Sequence, residues 1–175
     1  THKLSTETTN LPGKEIKEIQ IFRIELKVQQ TIEPVLLVID KAIPYPIIFM
    51  IQYDEQVYLS TSVKHPHPVN EDNAVVDWTF KSDWHTSDDI KYTLVLKKSL
   101  DAVYLDVCLQ LVGDPEAKSK TLNELVERSR SIEALTKEVA RLKAAIANCK
   151  QYNQKVELNQ KLIRLKNMMK NQIAD

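Results

Sequence analysis

The chain has 175 residues, of which 43% are hydrophobic, enough to fill a core and to exclude a disordered protein. Its 24 basic and 24 acidic residues cancel, and its two glycines are too few for a phosphate-binding glycine-rich loop or a turn-rich β-barrel. No apolar run approaches the roughly 20 residues of a membrane span, and two cysteines far apart in sequence are typical of a reducing compartment, so we expect a cytoplasmic protein that does not enter a membrane.

The first third of the chain predicts a strand, a helix and a second strand. Residues 15–28 alternate apolar and polar side chains, which is typical of a half-buried strand with a bulge or a switch of face near Ile21. Thr31 is the predicted N-cap of a helix over residues 31–43, which the following prolines end. The apolar run at residues 47–53 predicts a central strand that is buried on both faces.

Three more strands and a second helix are predicted next. Residues 57–63 follow a short turn and form a hairpin with the preceding strand. After a polar loop at residues 64–73, residues 74–80 and 92–96 supply two further strands. Apolar residues at helical spacing over residues 100–112 predict a helix that packs on the sheet.

Together these elements predict an α+β domain over residues 14–113. The helix between the first two strands favours a right-handed parallel crossover, whereas the later strands are close enough in sequence to be antiparallel. We therefore expect a mixed sheet of about five strands, covered on one face by two packed helices.

Residues 119–173 predict an antiparallel coiled-coil helical hairpin. Apolar residues alternate at spacings of three and four, but this seam shifts by two residues near Tyr152, which a continuous coiled coil does not absorb. A chain reversal at residues 151–153, with Asn153 supporting the turn, removes the mismatch; the alternative is one continuous helix with a local irregularity. The predicted interface pairs are Ile146 with Leu158, Leu142 with Leu162, Val139 with Leu165, Leu135 with Met169, and Ile132 with Gln172 or Ile173.

Charge is unevenly distributed between this hairpin and the rest of the chain. Residues 141–175 hold 8 basic and 2 acidic residues, whereas the first 140 hold 16 and 22, so the two net charges are +6 and −6. A solvated helix surface is the ordinary explanation, but this excess favours contact with phosphates or with an acidic partner. The candidate contact residues are Arg141, Lys143, Lys150, Lys155, Lys161, Arg164 and Lys166.

Candidate catalytic groups are few. Glu25 and Lys27 have the Glu-x-Lys spacing of many metal-dependent nucleases, but no acidic residue is predicted on a neighbouring strand to share the metal. His65 and His67 lack a third ligand at a suitable spacing, so a surface loop explains them better. Cys108 lies on the apolar face of its helix and is a predicted core residue. We therefore expect no catalytic, metal or cofactor site.

Three aromatic residues, Trp78, Phe80 and Trp84, lie close together in sequence. Trp78 and Phe80 share one face of a predicted strand, for which core packing is the favoured interpretation. The alternative is a partner-binding patch, because Trp is enriched at interaction hot spots.

Several segments in combination resemble a bacterial family of unknown function whose members are encoded beside DNA adenine methyltransferases and helicases in restriction-like phage-defence operons. The resemblance covers nearly the whole chain from Lys14 onward and implies no known activity. The segments that carry it are DKAIPYPIIFMIQY, FKSDWHTSDD, LDAVYLDVCLQLVG and YNQKVELNQKLIRLK.

The resemblance implies an accessory component of a DNA-modification or phage-defence system. We accordingly expect a non-catalytic assembly subunit that docks a methyltransferase or helicase through its sheet domain and its basic hairpin; it could also form a homo-oligomer. The alternative is a nucleic-acid-binding module, or a metal-dependent nuclease, that acts directly on DNA.

Overall fold

The computed structural model describes residues 1–70, 72–89, 92–113 and 119–174, apart from the side chains of Ile173 and Ala174. The chain forms two compact units, Thr1–Ala117 and Lys118–Asp175. The first unit is built around a β-sheet, and the second consists of two helices. Within the described residues, no helix is both long enough and apolar enough to cross a membrane.

The sheet of the first unit is mixed, as the sequence predicts, so the α+β class is confirmed. Its strands follow the order β1-β2-β3-β4-β5, and the short β6 pairs with the start of β4. β2 and β3 run parallel, and the other neighbours run antiparallel. In the described residues the elements are β1 (His2–Ser5), α1 (Thr6–Thr9), β2 (Glu18–Glu25), α2 (Glu33–Ala42), β3 (Ile47–Tyr53), β4 (Gln56–Pro66), β5 (Ala74–Lys81), β6 (His85–Thr86) and α3 (Leu100–Val112).

β3 lies between β2 and β4 and is buried on both faces, as its apolar run predicts. Ile47, Phe49 and Ile51 are completely buried on one face, and Ile48 is buried on the other. Because alternate side chains of a strand point to opposite faces, burial of both sets requires a covering layer on each side of the sheet.

The two long helices of this unit lie on opposite faces of the sheet, which corrects the expectation that both cover one face. Asp40 of α2 accepts a hydrogen bond of 2.7 Å from the Ser62 hydroxyl, whereas the Tyr104 hydroxyl of α3 lies 2.8 Å from that of Thr61. Thr61 and Ser62 are consecutive residues of β4, so their side chains point to opposite faces. One helix is needed on each face because both faces are apolar.

Of the two alternatives predicted near Ile21 of β2, a bulge and a switch of apolar face, the structure shows the switch of face. Ile21 pairs with His2 of β1 and with Ile48 of β3, and the register is regular on both sides. Ile19 is buried on one face, and Phe22 packs against the core beneath α2 on the other. The apolar positions change parity because β2 contributes to both layers of the core.

α2 begins at Glu33 rather than at the predicted cap. Its N-cap is Ile32, not Thr31, and no side chain caps its first turn. The N–H of Ile32 donates to the Tyr58 hydroxyl at 3.4 Å, and the Ile32 side chain packs against the core that contains Tyr58. Burial of Ile32, rather than capping by a polar residue, therefore decides where the helix starts.

Residues 92–96 do not form the predicted strand. The Gln110 side chain of α3 bonds both peptide groups of Thr93, accepting from its N–H and donating to its carbonyl, each at 2.8 Å. Leu94, Val95 and Leu96 are 41%, 38% and 47% exposed, and no described strand lies beside them. The Gln110 side chain therefore forms the backbone hydrogen bonds of Thr93 that a neighbouring strand would otherwise form.

Three short elements went unpredicted, and one strand is longer than expected. β1, α1 and β6 have two to four residues each, too few to produce a periodic pattern. β4 continues to Pro66, so the predicted loop at residues 64–73 starts later. α3 has the predicted bounds and is capped by Ser99 and by Gly113.

The second unit is a helical hairpin of α4 (Leu122–Asn148) and α5 (Tyr152–Ala174). The Ser131 hydroxyl of α4 bonds the Gln172 side chain of α5 at 3.0 Å, and Arg128 Nε donates to the Gln172 carbonyl at 3.0 Å. Because the start of α4 meets the end of α5, the two helices run antiparallel. The chain reverses between them at residues 149–151.

Candidate functional site

The turn of the hairpin lies at the predicted place but is built differently. Cys149 is the C-cap of α4, and its N–H donates to the Ile146 carbonyl. The Gln151 carbonyl accepts from the N–H of Lys155, which closes the first turn of α5. Asn153, which was expected at the apex, lies inside α5 and does not form the turn.

The two predicted apolar rows face each other in the hairpin. Val139 and Leu142 of α4 are buried, and the Thr136 hydroxyl contacts the Met169 sulfur at 3.7 Å, close to the predicted pairing of Leu135 with Met169. Apart from Gln172 beside Ser131, the half-buried side chains in the described part of α5 are those of the predicted row. The side chain of Ile173, proposed as a partner of Ile132, lies outside the described residues. The half-buried row members are Ile132, Leu135, Ile146, Leu158, Leu162, Leu165 and Met169.

All seven candidate basic residues are exposed on the hairpin. Arg141 pairs with Glu138 at 3.3 Å, one helical turn away. Within the described residues, the other six form no ion pair. Their charges are therefore available to a phosphate or to an acidic surface. These six residues are Lys143, Lys150, Lys155, Lys161, Arg164 and Lys166.

The three aromatic candidates do not form one patch. Trp84 makes an edge-to-face contact with Tyr58, at 4.7 Å between ring centres, on the face covered by α2. Phe80 is buried and pairs in register with Thr61, whose side chain faces α3. Trp78 is half-buried, two residues before Phe80. The arrangement is that of core packing on two faces.

Glu25 and Lys27 lack the companion that a nuclease site needs. Glu25 is exposed at the end of β2 and pairs with Gln52 of β3, where an acidic residue would be required to share a metal. The Gln52 side chain instead donates to the Asp54 carbonyl at 3.0 Å. The described residues contain no group of three or more His, Cys, Asp or Glu side chains that could hold a metal ion.

The histidines have local structural partners. His65 Nδ1 lies 2.8 Å from the Asp77 carboxylate across β4 and β5. His67 Nδ1 accepts from the backbone N–H groups of Val69 and Asn70, which shapes the turn that follows β4. Neither ring points to a shared ligand site.

A buried polar cluster beneath α2 escaped the sequence analysis. Lys64 Nζ donates to Asp40 Oδ1 at 2.9 Å and to the carbonyls of Asp40 and Ile43 at 3.0 and 2.8 Å. Burial lowers the pKa of Lys64, and the Asp40 carboxylate opposes that shift. The ammonium group thus satisfies carbonyls at the C-terminal end of α2, where a positive charge is favoured. The only sequence signal was an acid, Asp40, beside the apolar stripe of a predicted helix.

A cleft of about 450 Å³ adjoins this cluster, between α2 and the strands β4 and β5. Its polar groups are largely engaged with each other, since the Ser62 hydroxyl contacts both the Asp40 carboxylate and the Thr79 hydroxyl, at 2.7 and 2.9 Å. An ion pair between Lys81 and Glu33 lies at its rim. These contacts join α2 to the sheet.

Tyr104 and Cys108 occupy the opposite core. The Tyr104 hydroxyl donates to the Ser62 carbonyl at 2.8 Å and also contacts the Thr61 hydroxyl. Burial raises the pKa of the Cys108 thiol and that of the Tyr104 hydroxyl, so both stay neutral. Cys108 is accordingly an inert core residue, as its position on the apolar face predicts.

Comparison with known proteins identifies a family for this chain. A family model described as Domain of unknown function (DUF4391) matches residues 1–169. No curated protein and no solved structure matches the chain.

Proposed function

The chain belongs to the DUF4391 family, whose description names no activity, and we propose that it is a non-catalytic accessory subunit of a DNA-modification or restriction-like defence system. It docks a methyltransferase or a helicase through its sheet unit and its basic hairpin. The resemblance to a family encoded beside such enzymes supports this class of system. An accessory subunit of these enzymes works in the cytoplasm, where their DNA lies.

The observation that carries this proposal is the set of uncompensated charges on the hairpin. Toward its start, α4 pairs its charges within the helix, as in Lys137 with Glu133 at 2.9 Å and Arg130 with Glu127 at 2.7 Å. Past Glu138, basic residues continue with only one acid, Glu157, among the described residues. A mixture of acidic and basic residues is sufficient to keep a helix surface solvated. The excess of basic residues past Glu138 therefore indicates a negatively charged partner.

The titratable groups of the sheet unit support a non-catalytic role. Asp40 and Lys64 neutralise each other, and Asp101 accepts three backbone N–H groups. Cys108 is buried with a raised pKa. These groups hold the fold together, and none of the four is free to act as an acid, a base or a nucleophile.

Co-purification with the products of the neighbouring genes, among which the proposal expects a methyltransferase or a helicase, tests it. Wild-type protein is expected to elute with one of them in a fixed ratio, and a Lys150→Glu, Lys155→Glu variant is expected to lose that complex. The matched control is Lys27→Glu, which reverses an exposed charge on the sheet unit. Failure of the wild-type protein to elute with either gene product would contradict the proposal.

Direct binding to DNA is the second candidate, favoured by the same unpaired basic residues. Anisotropy with a labelled duplex at low and moderate salt tests it, because each neutralised phosphate steepens the salt dependence by a slope of about 0.9. Binding that is steeply salt-dependent and lost in the Lys150→Glu, Lys155→Glu variant would favour a DNA-binding module. Cleavage of the duplex with Mg²⁺ or Mn²⁺, abolished by Glu25→Gln, would favour a nuclease.

A further inference from the structure

α5 carries a second regular row of side chains in addition to the one that faces α4. Its members follow spacings of 4, 3, 4, 3 and 4 residues and lie one position, about 100°, around the helix from the inner row. All six are exposed. This outer row consists of Tyr152, Val156, Asn159, Ile163, Lys166 and Lys170.

The outer row is apolar near the turn and basic toward the end of α5. Tyr152, Val156 and Ile163 are 80%, 39% and 59% exposed. Asn159 lies between the apolar residues, and its side-chain amide donates to the Lys155 carbonyl at 2.8 Å. Spacings that alternate between three and four residues are those with which one helix packs along another, and a polar Asn in such a row fixes the register of pairing.

We propose that the outer row binds an acidic amphipathic helix of a partner protein. Such a helix would place apolar side chains over Tyr152, Val156 and Ile163, and Asp or Glu side chains beside Lys166 and Lys170. This inference rests on the proposed function and names the class of partner surface that the hairpin takes.

Charge complementarity excludes a second copy of α5 as the occupant. Parallel pairing of two outer rows would set Lys166 against its own counterpart, and like charges in contact are unfavourable. Antiparallel pairing would set Lys170 and Lys166 against the apolar residues near Tyr152 and would leave the ammonium groups without partners. An acidic amphipathic helix would cover the apolar half of the row and pair with the charges of its basic half. A DNA backbone would use only the basic half.

Binding of a designed peptide to the 175-residue chain tests the outer row directly. The probe is a labelled helical peptide of about 21 residues with Leu at heptad positions in one half and Glu in the other. A second peptide replaces each Glu by Lys. Anisotropy is expected to show binding of the acidic peptide, and the Tyr152→Ala, Ile163→Ala variant is expected to weaken it by about tenfold or more, since both contacts lose buried apolar area.

Two control variants change the same helix outside the row. Met168→Ala removes an apolar side chain that is 55% exposed but lies off the row, and Gln154→Glu adds a negative charge at an exposed position that also lies off it. Both are expected to bind the acidic peptide within about twofold of wild type. Lys166→Glu, Lys170→Glu is expected to switch the preference to the Lys-containing peptide. Circular dichroism checks that every variant remains helical.

Three outcomes overturn the inference: no binding of the acidic peptide up to about 1 mM, equal losses in the row and control variants, or equal binding of both peptides. A duplex DNA that binds and is unaffected by Tyr152→Ala, Ile163→Ala, while the acidic peptide does not bind, overturns it in favour of phosphate contact. The peptide assay contains no neighbouring gene product. If the peptide does not bind, a positive co-purification result still supports the proposed function. If co-purification fails, a positive peptide result still supports binding of an acidic helix to the outer row.

Discussion

The Lys64 ammonium group lies 2.9 Å from the Asp40 carboxylate, with side chains only 1% and 3% exposed. The pair joins α2 to β4, because Lys64 also bonds the carbonyls of Asp40 and Ile43. A buried ion pair is not a strong source of stability by itself, but removing one member leaves the other charge uncompensated. The contact is therefore a sensitive point of the fold.

Lys64→Met should lower the free energy of unfolding by about 3–5 kcal/mol, because the Asp40 carboxylate would remain buried without its cation. Urea titration followed by circular dichroism measures the change. The matched control is Lys81→Met, which removes an ion pair with Glu33 whose side chains are 54% and 51% exposed, and should cost about 0–1 kcal/mol. Equal effects of the two substitutions would contradict the structural role of the buried pair.

Asp101 should make stability depend on pH. Partial burial raises the pKa of its carboxyl, but bonds from the N–H groups of Lys14, Glu15 and Ile16 lower it, and the net pKa lies below the ordinary 3.8. A depressed pKa stabilises the fold above about pH 4, and this contribution is lost as pH falls through the folded-state value.

Asp101→Asn should therefore cost about 1 kcal/mol at pH 7, a modest figure because the carboxyl is only partly buried. The difference from wild type should shrink as urea titrations are repeated from pH 5 down to pH 3. If the difference in unfolding free energy between wild type and variant stays constant over this range, the charge of the Asp101 carboxylate does not stabilise its contact with residues 14–16.

The two glycines should respond differently to alanine. A Cβ at Gly13 would lie 2.0 Å from the Ile16 carbonyl oxygen, so the backbone must move, and Gly13→Ala should cost about 2–3 kcal/mol. Gly113 has open space around it but a φ of +74°, so Gly113→Ala should cost about 1–2 kcal/mol. Thermal unfolding of both variants measures the ranking, and the reverse order would contradict it.

The antiparallel pairing of α4 and α5 should allow an engineered disulfide between them. In a Cys149→Ser background, Leu142→Cys and Leu162→Cys should form a disulfide within one chain, because the two inner rows face each other. Leu142→Cys with Ile163→Cys is the control, since Ile163 lies on the outer row of α5. Non-reducing electrophoresis and mass spectrometry distinguish the products. A crosslink only between chains would indicate that α4 and α5 pair between molecules.

Local periodicity was enough to predict β3, α3 and both helices of the hairpin. Residues 47–53 are a continuous apolar run, and residues 100–112 repeat apolar side chains at helical spacing, so each segment indicates its own conformation. The two-residue shift of the seam near Tyr152 indicated the reversal because one straight helix cannot keep both rows on the same face. These features depend only on neighbours along the chain.

Tertiary structure decided what depends on contacts between distant residues. Residues 92–96 have the composition of a strand but pair with no strand in the described part of the chain, and Gln110 bonds Thr93 instead. The placement of α2 and α3 on opposite faces follows from which side chains of β4 each helix meets, and alternation within one strand does not indicate this. Lys64 and Asp40 are 24 residues apart, and burial turns two ordinary polar residues into one ion pair. Periodicity predicts which face of an element is apolar, whereas only packing in three dimensions determines what covers that face.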